Sequence, residues 1–440
     1  MELSKPLSYS RTGTYPAYYN VLLIAALLTD LITPILIWKG VIPAYTRWIS
    51  HAAVALMIIG AFSRMMVFDH IPRIVWLIAG LSVIGIAVAL FMGQATAPTA
   101  WGWWIMFQFP LVGLFAYLQP NWPKNFPRHL RNVLIAILFL EVLIQIGQYF
   151  TGEPPGDNLA GTFGLHGTAN LVIFILLVLC IALGRWLASG DWKPLVLVLV
   201  LGSISSVLGE MKLFPFATIG LGFLALFFFI LKGKRRWRII PYALFVGLIS
   251  WGFIGFYDSV VVSSRGTRPL ESYLDPNVLA SYLGGATQAE TILGTYDIGR
   301  NYALTYGWNE INKDSTTLLF GLGLGARGES RSLGIAGVAL VRSHLGLTSG
   351  TSLLVLLQET GLVGLILFAS FIIWVVFTLF KAILKEPHSK FSEIHYGLIL
   401  FSLLWPLWLW YTPVWLFRVP MLIYWALLGY AFSLKSVNQQ

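Results

Sequence analysis

The chain reads as an all-α integral membrane protein with about twelve transmembrane helices and one large, partly helical loop between the ninth and tenth. Three observations predict this. The 440 residues are 57% hydrophobic and only 11% charged, against roughly 25% charged in soluble domains. The apolar residues are gathered into runs of about 20, the length that crosses a hydrocarbon core at about 1.5 Å per residue. Between residues 257 and 350 those runs stop, and arginine, tyrosine and glycine replace them.

Taken in order, the expected spans are 18–38, 48–67, 74–93, 103–119, 132–151, 168–188, 194–209, 213–231, 239–257, 350–381, 395–412 and 415–434. All are expected to be helices, because lipid offers the backbone no other partner outside a barrel. Residues 1–17 are polar and the first apolar run is long enough to span, so no cleaved signal is expected. The run 350–381 exceeds one crossing and implies a tilt or a projecting start. The whole chain, 1–440, is expected to form one polytopic domain with 257–350 embedded in it.

Basic residues set the orientation. Lys5, Arg11, Arg73, Lys124, Arg128, Arg131, Arg185, Lys193, the run from Lys232 to Arg238, Lys381, Lys385, Lys390 and Lys435 fall in one alternating set of loops. That set is expected to be cytoplasmic, with both termini, and 257–350 to lie outside. The net charge of +10 is explained by this loop bias rather than by nucleic acid. Cys180 lies inside an apolar run and has no second cysteine to pair with. No metal-ligand spacing is present in the sequence and no cofactor is expected.

Within 257–350, residues 270–283 and 296–312 have the mixed spacing of amphipathic helices. Gly284-Gly285 and Asp314-Ser315 read as breaks. The segment Leu318-Leu-Phe-Gly-Leu-Gly-Leu-Gly-Ala-Arg327 follows. It is either a surface turn or a loop whose backbone N–H groups approach a phosphate or sugar. The loop's arginines are Arg265, Arg268, Arg300, Arg327, Arg331 and Arg342. A guanidinium fork suits diphosphate oxygens, although eight acids nearby make local pairing easy. Arg300 is the best placed, with Tyr296, Tyr302 and Trp308 around it in sequence.

Gly209-Glu210-Met211-Lys212 joins two spans in a turn so short that both charges must lie at the membrane boundary. Ions there are costly and usually functional. The alternatives are a pair that merely ends two helices, or Lys212 on an anionic head group with Glu210 as partner or general base. Asp30, Glu141 and Glu359 lie inside spans and need partners. For Glu359, in Gln358-Glu-Thr-Gly-Leu-Val-Gly364, a structural hydrogen bond between helices is the plainer reading. His344 is a second candidate base, and His166 a weaker one.

Together these residues resemble the O-antigen polymerase/ligase superfamily. The shared features are about twelve helices, a late periplasmic loop, and an ordered set of motifs. Arg300 precedes Leu319-Phe-Gly-Leu-Gly-Leu-Gly325, and Leu353, Leu357-Gln-Glu359-Thr-Gly361-Leu-Val-Gly364 follow. A basic residue, here Lys212 where the family usually has arginine, sits in the outer turn before a span. The motifs cover residues 194–380; the rest matches by topology. The family's ligases carry His-Asn where this chain has Gly350-Thr351, so the histidine is absent or displaced to His344.

The resemblance implies glycan transfer from an undecaprenyl-diphosphate carrier to an acceptor glycan or glycolipid hydroxyl, without metal. Polymerisation of lipid-linked repeats is expected, with O-antigen ligation to lipid A core as the alternative. Lys212, Arg300 and Arg327 are expected on the diphosphate, and Glu210, then His344, as proton acceptor. Membrane lipids, a flippase and a chain-length regulator are the implied partners. A transporter is the competing class, for which Asp30, Glu141 and Glu359 would serve. Against it, no paired broken helices are evident in the two halves.

Overall fold

The computed structural model describes residues 18–66, 73–119, 122, 125–231, 247, 251–263, 268–284, 290–292, 295–297, 300–343, 350–385 and 391–437. It is a helical membrane protein. The first eight helices are α1 (Tyr18–Trp38), α2 (Trp48–Met65), α3 (Arg73–Phe91), α4 (Thr96–Tyr117), α5 (Phe126–Phe150), α6 (Thr168–Ser189), α7 (Lys193–Leu208) and α8 (Leu213–Leu231). A short apolar helix, α9 (Trp251–Val262), ends in a π-helical turn from Asp258.

The long excursion then builds α10 (Pro276–Gly284), α11 (Arg300–Ile311), α12 (Ser315–Phe320) and α13 (Val338–Ser343). The chain returns through α14 (Ser352–Lys385), α15 (Ser392–Leu403), α16 (Trp405–Tyr411) and α17 (Arg418–Val437).

Helix α6 is apolar on every side, and such a helix must be buried. Accordingly 89% of its spanning window is buried, against 22% for those of α1 and α3. It packs on α5, α7, α8, α15 and α17, and α17 in turn packs on α4. Those helices form the centre, and α1 and α3 leave apolar faces for lipid.

Among the described residues, seven helices are long and apolar enough to cross a membrane, or eight if α15 and α16 make one span. Helix α7 has 16 residues, about 24 Å and short of a core of about 30 Å. Helices α4 and α17 have the length but carry Gln108, Arg418 and Lys435. The expected ninth span lies mostly outside the described residues.

Three local expectations change. The long tenth run, expected to tilt or to project at its start, is broken: Gly361 interrupts it at φ 62°, ψ −162°. The part from 362 to 385 is then about 36 Å, one crossing. The eleventh run is two helices bent by 43°. Pro406 stands at the start of the second, where it cannot donate to the preceding turn. The expected helix 296–312 starts only at Arg300. Thr295–Asp297 instead pairs antiparallel with Glu290–Ile292 as a two-stranded ribbon, β2 on β1; threonine and tyrosine favour a strand there. A second small pair, β3 (Glu329–Ser330) with β4 (Ile335–Ala336), follows the glycine segment.

Cross-links define two ends of the bundle. At one end Lys39 Nζ pairs with Glu153 Oε1 at 3.2 Å, and Gly156 N–H donates to Leu208 O at 2.9 Å. Trp101 Nε1 donates to Glu329 O at 2.8 Å, and Ser352 N–H to Thr412 O at 3.1 Å. This end carries the excursion. At the other end the buried Glu393 takes Arg131 at 2.5 Å and Arg185 at 3.4 Å.

Candidate functional site

Glu210 and Lys212 sit at the end that carries the excursion. Helix α7 closes with Met211 N–H donating to Ser206 O at 2.7 Å and Glu210 N–H to Val207 O at 3.1 Å. That bond pair is the Schellman close, whose left-handed position is normally glycine. Here Glu210 occupies it at φ 53°, while Gly209 stands one residue too early. A left-handed non-glycine residue costs about 1–2 kcal/mol. Strain of this kind persists where surrounding contacts impose it, often at functional sites.

The strained turn aims both side chains into one contact. Lys212 Nζ lies 3.1 Å from Glu210 Oε1, with the two side chains 15% and 14% exposed. Tyr257, the last residue before the π turn of α9, donates its hydroxyl to Glu210 Oε1 at 3.3 Å. The ammonium lies 5.2 Å from the centre of the Tyr273 ring. Burial disfavours the charged ammonium, but the Tyr273 hydroxyl, Tyr257 and Glu210 outweigh it and raise its pKa above the ordinary lysine value. The π turn is tied to Tyr273 by Asp258 Oδ1, which accepts from Leu270 N–H at 3.1 Å. The result is a half-buried cation boxed by one carboxylate and two phenols.

Arg300 opens α11. Its Nε donates to Tyr411 O at 3.0 Å and its guanidinium lies 4.2 Å from the Tyr411 ring centre. It is half-buried. Helix α10, just after Tyr273, packs on α11. Tyr273, which faces Lys212, thus precedes a helix that packs on the one Arg300 opens.

The glycine-rich segment is placed otherwise than expected. Its backbone N–H groups do approach an anion, but the anion is Glu359. That carboxylate, 2% exposed, accepts from Arg327 N–H at 3.2 Å and from Gly325 N–H. Gln358 O, near the helix break at Gly361, accepts from Leu322 N–H at 2.6 Å. Gln358 Oε1 accepts from Arg327 Nη1 at 2.9 Å. On its other side the segment packs on α3 and α4: Gln94 Nε2 donates to Leu324 O at 2.5 Å. A Cβ on Gly102 would stand 2.2 Å from Gly325 N, so only glycine admits this approach.

Arg327 is therefore not the open phosphate contact expected of it. It is 0% exposed, because the motifs at 319–327 and 358–364 close on each other as a clasp. Burial lowers its pKa to about 10, against Tyr306, Glu359 and Glu310, and it stays cationic at neutral pH. Glu359 is held by loop N–H groups rather than by the hydrogen bond between helices expected of it. Glu141 is likewise structural: it accepts from Thr162 N–H at 2.7 Å and Thr162 Oγ1 at 2.5 Å.

Asp30 leads to a cluster that the sequence reading does not contain. Arg418, the first residue of α17, donates from Nε to Asp30 Oδ1 at 2.8 Å. It also donates from Nη1 to Gln108 Oε1 at 2.7 Å and from Nη2 to Ser50 Oγ at 2.7 Å. One guanidinium joins α1, α2, α4 and α17, and it lies inside the expected twelfth span. A signal existed: Arg418 is the one arginine or lysine between Lys390 and Lys435.

His344, the second candidate base, lies outside the described residues, as do Arg265, Lys124 and the basic run 232–238. Among the described residues no group of histidine, cysteine, aspartate and glutamate has metal-site geometry. No protein-family model matches this chain, and no curated protein matches it in sequence.

Proposed function

We propose that the chain transfers a glycan from an undecaprenyl-diphosphate carrier to an acceptor hydroxyl, as a polymerase of lipid-linked repeats in the bacterial inner membrane, within a twelve-span topology. The observation that carries the reading is the Glu210 turn. A strained, left-handed glutamate holds a half-buried lysine at the membrane boundary, walled by Tyr257 and Tyr273. Such an arrangement suits an anionic head group better than a helix end, which glycine would close without strain.

In the reaction the acceptor oxygen attacks the anomeric carbon. The bond from that carbon to the diphosphate oxygen breaks, and its electron pair leaves with the diphosphate. Lys212 and Arg300 offset the developing charge. A diphosphate that draws Lys212 away releases Glu210 to accept the hydroxyl proton. Arg327 and Glu359 hold the loop and do not touch the substrate. The periplasm is the proposed side of the chemistry, with the Arg131–Glu393–Arg185 end and both termini in the cytoplasm.

Mass analysis of carrier-linked glycans in a deletion strain tests the reading. Single repeats accumulate if the chain polymerises. Full-length chains on the carrier lipid would assign it to ligation instead. An unchanged pool would refute glycan transfer and favour transport.

A further inference from the structure

Beside the Arg418 cluster lies an aromatic surface that neither the clasp nor the Lys212 turn uses. Trp48, His51 and Trp101 form a triangle of rings with centroids 5.0, 5.8 and 5.9 Å apart. Trp104 adds a fourth ring, 5.9 Å from His51. All four side chains are partly exposed.

The polar groups among them are fixed in orientation. Trp104 Nε1 donates to His51 Nδ1 at 2.9 Å, which makes Nδ1 an acceptor. In the neutral imidazole the proton then sits on Nε2, so His51 presents a donor. Arg418 is held by Asp30, Gln108 and Ser50, as described, and its Nη1 lies 3.2 Å from His51 Nδ1 and 3.4 Å from His51 Nε2. Trp101 is anchored by Glu329 O of the excursion. Its ring is therefore tied to the segment that follows the clasp.

The charge balance separates the candidate ligands. Arg418 faces Asp30 at 2.8 Å with its side chain 16% exposed, so the pair carries no net charge. An anion would have to compete with the carboxylate. A neutral ring with hydroxyls would not, and it would find aromatic faces for its C–H side and the His51 Nε2 donor for an oxygen. A staple between helices needs the Arg418–Asp30 pair, but not an oriented histidine among three partly exposed indoles.

We infer that Trp48, His51, Trp101 and Arg418 form a subsite for a neutral pyranose ring, separate from the Lys212 turn. As part of the transfer reaction it would hold a sugar of the glycan away from the diphosphate. That role rests on the proposed function; the binding itself does not.

The test uses the full chain in phosphatidylcholine nanodiscs free of sugar detergents. The probes are a panel of methyl hexopyranosides and methyl N-acetylhexosaminides, followed by saturation-transfer NMR. At least one glycoside is expected to bind in the millimolar range. His51→Asn keeps the acceptor for Trp104 and removes the Nε2 donor; Trp48→Phe keeps a ring of smaller area. Each is expected to weaken glycoside binding at least fivefold with an unchanged melting curve, whereas Lys212→Gln leaves it unchanged. No binding by any glycoside, or equal binding by His51→Asn and Trp48→Phe, overturns the subsite. So does inorganic pyrophosphate displacing the glycoside through His51 and Arg418, which would make this an anion site. Glycoside binding that stands while undecaprenyl diphosphate fails to bind would keep the subsite and remove the proposed function.

Discussion

The Glu359–Arg327 clasp and the Glu210–Lys212 turn each place an acid beside a base near the excursion, yet they are enclosed in opposite ways. Glu359 and Arg327 are 2% and 0% exposed, and the carboxylate is filled by backbone N–H groups. The Glu210 and Lys212 side chains keep 14% and 15% exposure, and their turn is held in a conformation that glutamate disfavours. The first arrangement joins one helix to one loop by placing backbone N–H groups on the carboxylate and Arg327 Nη1 on Gln358 Oε1. The second keeps charge at the boundary at the cost of local strain. Charge in a membrane segment is thus not evidence of function by itself; what encloses it decides.

The sharpest way to break this comparison is to open the clasp. Glu359→Leu leaves the buried Arg327 and the Gly325 N–H without their acceptor. Each buried backbone donor left unsatisfied costs about 1–3 kcal/mol, so the variant is expected to lose its monodisperse peak on detergent chromatography. A well-folded Glu359→Leu protein would mean that the clasp does not hold the loop.

Lys212→Ala should act on activity alone. Loss of one cation from a developing diphosphate charge corresponds to about 10²–10³ in rate, with melting temperature little changed. Glu210→Gly separates strain from function more finely. The substitution relieves about 1–2 kcal/mol of left-handed strain and loses a partly exposed ion pair of about 0–1 kcal/mol. Thermal stability is expected to hold or rise while transfer falls. A clear drop in melting temperature would show that the pair is structural.

Lys212 also has a pH signature. Its pKa is raised in the folded protein, so its contribution to stability is complete below the unfolded value of about 10.4. That contribution is lost only as pH rises through the higher folded value. Anion binding should therefore be flat from pH 7 to 9 in a titration of the nanodisc-embedded protein. The smallest effect belongs to Lys39→Ala, which removes a pair 47% and 26% exposed. A change of more than about 1 kcal/mol there would exceed what a surface pair supplies.

Much of the helical pattern was legible because lipid forces long apolar runs into helices, and α1, α2, α3, α5, α6 and α8 fall where those runs lie. The clasp was half legible. Both motifs stand out in sequence, but nothing in either says that Glu359 fills the glycine segment rather than a phosphate. Gly361 resembled other helix glycines until its φ of 62° was seen. The Arg418 cluster depends on partners as far away as Asp30, and no local pattern joins them. The Glu210 turn was legible as two boundary charges; its left-handed backbone was not.

The most direct test of the Lys212 turn as an anion site is equilibrium binding of radiolabelled undecaprenyl diphosphate to the nanodisc-embedded protein. Lys212→Gln is expected to bind at least tenfold more weakly than wild type, while Lys39→Gln binds as wild type does. Equal affinity in Lys212→Gln and wild type would contradict it.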